Sequence, residues 1–77
     1  MNDERRGKLR KALGLLVEAY NIVDGVKDKE EDCYSNYPEN LQSTDVYYAM
    51  EDAIDYLGDA GEAIETAIEK VKDAIGK

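Results

Sequence analysis

Two acid pairs at helical spacing, Asp52-Ala53-Ile54-Asp55 and Glu62-Ala63-Ile64-Glu65, are the residues of this chain best placed for chemistry. Acids three apart share one face of a helix, and such pairs on neighbouring helices can hold magnesium against a phosphorylated substrate. Their phase argues against that use. Met50, Leu57, Ile64 and Val71 recur every seven residues, and when they define position a of a heptad the acids fall at b, c and f. Those rows face water, so no cleft forms around them. A di-iron carboxylate centre needs Glu-x-x-His elements, and the chain has no histidine. The run from Lys27 to Asp32 lacks the spacing and the turn glycine of a calcium loop. Cys33 has no base to make it a thiolate and falls near a helix C-terminus, where the dipole opposes the anion. The expectation is therefore no catalytic residue, no metal, no cofactor and no enzymatic activity.

Tyrosine is the stronger signal. Tyr34, Tyr37, Tyr47 and Tyr48, four of the six tyrosines, crowd around CYSNYPENLQST, which also holds the single proline. Tyrosine combines a large contact area with a polar tip and is enriched in binding surfaces. Tyr34, Tyr37 and Tyr48 are the candidate partner surface. Tyr48 sits on the outward f row, whereas Tyr37, Leu41 and Tyr47 are also suited to closing the open end of a core.

These residues need two long helices to position them. The first is expected at about 3–32, with Leu9, Leu16 and Val23 at a and Ala12, Ala19 and Val26 at d. Leu13 and Tyr20 take e, Leu15 and Ile22 take g, and the f row is non-apolar, giving an amphipathic helix with a broad apolar face. Pro38 and its Asn/Ser neighbours interrupt the pattern at 33–43, with room for a short turn at Pro38–Leu41. Ser43-Thr44-Asp45 suits an N-cap, and a second helix follows at about 44–76. Its d row is alanine throughout (Ala53, Ala60, Ala67, Ala74), and its e row is Ile54, Gly61, Ile68 and Ile75.

One break between two long helices specifies an all-α fold, a single antiparallel helical hairpin over 1–77. Alanine is a good helix former, but that does not explain four alanines at one phase. A seam of Ala12, Ala19, Ala53, Ala60, Ala67 and Ala74 would let the two backbones approach closely. One neighbour cannot cover positions g, a, d and e of the first helix. Leu13, Leu15, Ile22, Ile54 and Ile68 would stay exposed, so dimerisation into a four-helix bundle is expected.

Charge bounds the partners. The net charge is −8, with 18 acids against 10 bases, which argues against direct nucleic-acid binding and leaves a basic protein partner open. Arg5, Arg6, Lys8, Arg10, Lys11, Lys70, Lys72 and Lys77 gather near the chain termini, and acids dominate the loop end. An antiparallel dimer would lay each basic end against its partner's acidic end. No apolar run reaches the ~20 residues of a membrane span, the start MNDERRGKLRKALG lacks a signal peptide's apolar core, and one cysteine supports no internal disulfide. A cytoplasmic location with no membrane contact is expected.

The segment Glu31-Asp32-x-Tyr34-x-Asn36-x-Pro38-Glu39-Asn40-Leu41-Gln42-x-Thr44, followed by Met50-Glu51-x-Ala53-Ile54-Asp55, resembles a group of small uncharacterised helical-hairpin proteins of phages and mobile elements in Gram-positive bacteria. The motif resemblance covers Glu30 to Asp59, and the rest matches by helical pattern alone. The helical glycines and the Tyr47-Tyr48 pair depart from the pattern. The resemblance implies a phage or mobile-element accessory protein acting in a bacterial host cell, and it implies no activity. The functional expectation is a non-enzymatic protein–protein interaction module. The alternative is an acidic nucleic-acid mimic that inhibits a host nucleic-acid-binding enzyme, for which the outward carboxylates of the second helix are suited.

Overall fold

A side-chain oxygen at Asn2 accepts a hydrogen bond from the Arg5 amide at 2.9 Å, and with that cap α1 (Asp3–Ser35) begins. The computed structural model describes all 77 residues. α1 runs one turn further than the apolar pattern suggests. Nothing in Cys33-Tyr34-Ser35 opposes a helix, and continuing it brings Tyr34 onto Tyr47. Asn36 ends it: its backbone amide and its Nδ2 both return to the Asp32 carbonyl, at 3.1 and 2.9 Å.

Pro38 then opens a short 3₁₀ turn over Glu39–Leu41, closed by the Leu41 amide donating to the Pro38 carbonyl at 2.9 Å. Thr44 works in both directions. Its hydroxyl donates to the Leu41 carbonyl at 2.7 Å and accepts from the Tyr47 amide at 3.4 Å, which fixes the turn and caps α2 (Asp45–Ile75) together. Such a cap contributes about 1 kcal/mol.

The two helices pack antiparallel and there are no strands. Each end of the hairpin carries one side-chain hydrogen bond between them. At the chain termini the Arg6 Nε donates to the Ile75 carbonyl at 3.1 Å, placing a cation at the negative end of α2. At the loop the Tyr34 hydroxyl donates to the Glu51 carboxylate at 3.4 Å.

Between these links the a rows of both helices meet and are half-buried, and the e rows close in beside them. Leu13, Ile54 and Ile68, expected on the surface left over for a second hairpin, lie half-buried in this contact instead. The six alanines of the proposed seam are half-buried as well. Leu15, Ile22 and Val26 remain exposed, because two helices that close along a and e leave g, and part of d, without a neighbour.

The product is a rod, with Cα extents of 60 × 14 × 13 Å and a radius of gyration of 17.5 Å. A compact chain of this length would have a radius near 11–12 Å. Not one residue is fully buried. The accessible surface is 5697 Å², about 1,000 Å² more than the size scaling of folded monomers gives for 8.6 kDa.

Candidate functional site

Extending the e row of α2 back by one heptad from Ile54 reaches Tyr47, and this residue organises the loop end. Its ring stacks on Tyr34 with centroids 4.4 Å apart and planes 17° from parallel. Tyr37 tilts against it at 5.6 Å, and Tyr48 meets it edge-on at 6.1 Å. Offset stacks and edge contacts of this kind each contribute roughly 0.5–1.5 kcal/mol beyond the area they bury. Three separate segments are thereby held together: the last turn of α1, the loop and the first turn of α2.

Tyr34 and Tyr37 are half-buried within this cluster, and Tyr48 is exposed on its outer side. The Tyr37 carbonyl accepts a hydrogen bond from the Gln42 side-chain amide at 3.3 Å, which ties the loop backbone at that residue. The Tyr34 phenol lies well above the usual tyrosine pKa: the Tyr47 phenol packed beside it, loss of solvent and the charge of Glu51, which accepts its hydrogen bond, all favour the neutral form. The loop end presents neutral phenols ringed by carboxylates, a surface suited to donors and to cationic side chains. Leu41 is also exposed beside them. Tyr47 is the residue that sequence reasoning treated only as an end cap, although its place on the e row was visible.

A second concavity lies midway along the rod. Tyr20, Asp24 and Lys27 of α1 face Gly58, Gly61, Glu62 and Glu65 of α2 around a volume of about 150 Å³. The two glycines make it. A Cβ added at Gly61 would touch the Tyr20 ring at 3.8 Å, and one at Gly58 would touch the Lys27 side chain at 3.7 Å. Tyr20 is raised in pKa, first by the Glu65 carboxylate close to its phenol across the groove and by that group's charge. Ligand pockets ordinarily hold roughly 300–1,000 Å³ and are mostly apolar, whereas this groove is small and lined by charge.

The acid pairs do not converge. Asp52 and Asp55 are exposed, and Glu62 and Glu65 are exposed at the groove's edge. Nowhere do three carboxylate or thiol groups come together as metal ligands would. Cys33 is exposed and unpaired. None of the α2 carboxylates takes part in a salt bridge; the three salt bridges of the chain are Arg6–Asp3, Lys8–Glu4 and Lys27–Glu31, all within α1. No helix is long and apolar enough to cross a membrane.

Fold and surface define an all-helical protein whose two helices pack against each other. The chain matches no protein-family model, no curated protein and no solved structure.

Proposed function

We propose that this chain is a non-enzymatic protein–protein interaction module that works as a homodimeric four-helix bundle. One observation carries the reading: a 77-residue rod with no fully buried residue and about 1,000 Å² of surplus surface. A standard protein interface takes about 800 Å² from each partner, so the surplus is what one protomer contributes to a dimer. Sedimentation equilibrium tests this directly. At micromolar concentration the species should weigh twice the 8.6 kDa chain, and a monomer would overturn the proposal.

Within the dimer, the loop-end tyrosines are the surface for a further protein. Tyr48 is outermost, with Tyr34 and Tyr37 behind it. A Tyr34→Ala/Tyr48→Ala variant should keep the dimer and lose salt-tolerant capture of that partner from host lysate. The resemblance to phage and mobile-element proteins favours an accessory role in a bacterial host cytoplasm. A nucleic-acid mimic is the second reading, favoured by the un-neutralised, exposed acids of α2. It requires capture of basic nucleic-acid enzymes that salt abolishes.

A further inference from the structure

The groove at Tyr20 and Gly61 fixes which rows share a side of the hairpin. Its walls come from e and b of both helices: Tyr20, Asp24 and Lys27 on α1, Gly58, Gly61 and Glu65 on α2. In an antiparallel pair that closes along a, this puts the d and g rows of both helices together on the opposite side.

That side is apolar. On α1 its residues are Ala12, Leu15, Ala19, Ile22 and Val26; on α2 the bulky members are Val46 and Tyr56, and every other d or g position from Ala49 to Ala67 is alanine. No charge interrupts either run, although 36% of the chain is charged. The exposures are those of a face without a partner: Leu15 58%, Ile22 61%, Val26 47%, Val46 60% and Tyr56 74%. The remaining large exposed apolar residues are scattered, with Val17 on the charged b row, Tyr48 on f, Leu41 in the loop and Met1 at the end.

We infer that this d/g face is where a second copy of the chain packs, antiparallel, an assignment that rests on the dimer proposed above. Length and width suit it. From Ala12 to Val26 the apolar run covers about 20 Å of helix, the longer run on α2 covers about 30 Å, and two adjacent helices are about 20 Å across. Two such faces bury an area of the order that a stable dimer needs. The alternation of Leu15, Ile22, Val26 and Tyr56 with alanines gives knobs and the spaces to receive them.

Charge sets the orientation. At the terminal end the d, g and bordering c rows carry Arg5, Lys8, Lys11, Lys70 and Lys77 against Glu4 and Asp73, while near the loop the same rows carry Asp32, Asp45 and Asp52 against Lys29. An antiparallel pair brings each cationic end beside the other copy's aspartates, and a parallel pair stacks like on like.

Three measurements decide the matter. Ile22→Glu should raise the dimer dissociation constant at least a hundredfold, since a symmetric interface loses the side chain twice. Val17→Glu, on the opposite flank, should leave it unchanged. Both residues are exposed in the single hairpin, so circular dichroism should show full helicity in both variants. Spin labels on Asn40→Cys in a Cys33→Ser background should lie tens of ångströms apart, towards the 60 Å length of the rod. A dimer untouched by Ile22→Glu, or dissociated equally by Val17→Glu, overturns the face. Loop labels within about 20 Å, the span of two packed helices, overturn the orientation. Neither result touches dimerisation itself; a wild-type monomer at micromolar concentration overturns both.

Discussion

Replacing Gly14 and Gly61 together by alanine should stabilise the protein by about 2 kcal/mol. Both lie inside long helices, where glycine costs about 1 kcal/mol relative to alanine through lost backbone freedom. Neither has a positive φ that would demand glycine. A Cβ at Gly14 meets no heavy atom within 4 Å, and one at Gly61 meets the Tyr20 ring at 3.8 Å, an ordinary van der Waals contact. The two gains should add, because Tyr20 lies six residues, or about 9 Å, along α1 from Gly14. Domains of this size are stable by only about 4–11 kcal/mol, so the change is a large share of the total. Urea unfolding followed by helical circular dichroism measures it, at matched protein concentrations because the proposed dimerisation would couple to folding. The midpoint should rise with the slope unchanged. A lower midpoint for Gly61→Ala alone would show that the groove is closed more tightly than 3.8 Å, and no gain at Gly14 would refute a continuous α1.

Leucine at both Ala60 and Ala67 overfills the half-buried d row, where the hairpin contact borders the proposed dimer face, and should cost about 2–5 kcal/mol through overpacking at two sites, read as a lower melting temperature in calorimetry. Tyr47→Ala removes the hub of the aromatic cluster; a loss of about 2 kcal/mol is expected, with amide exchange accelerated in the last turn of α1 and the first of α2. Stability should also fall in alkali. Tyr20 and Tyr34 hold their protons more tightly when folded, so the stabilisation is complete below the ordinary tyrosine value of about 10 and is lost as pH climbs through the raised values. Tyr34→Phe should flatten that decline in a series of urea midpoints, and an unchanged slope would contradict the hydrogen bonding assigned to Tyr34.

The helices were legible because their signals are local. A seven-residue recurrence of Met50, Leu57, Ile64 and Val71, a capping threonine and one proline leave little freedom in where elements begin and end. The side on which the hairpin closes was harder to read, because it depends on pairs distant in sequence. Leu13 and Leu15 are the same residue on opposite flanks of row a, as e and g, and hydrophobicity alone cannot choose between them. Tyr20 and Lys27, both on e, are large, and the α2 positions facing them are Gly58 and Gly61, which offer the room that bulky side chains need. Large e residues of α1 against small positions of α2 accompany closure along a and e, and alanine would fit at Gly58 and Gly61 as well. The same choice leaves Leu15, Ile22, Val26, Val46 and Tyr56 uncovered together on one side. In the proposed dimer a twofold rotation would set the alanine spaces of this face opposite its leucine, isoleucine and tyrosine knobs. Self-association as proposed would then need no sequence feature beyond those that close the hairpin.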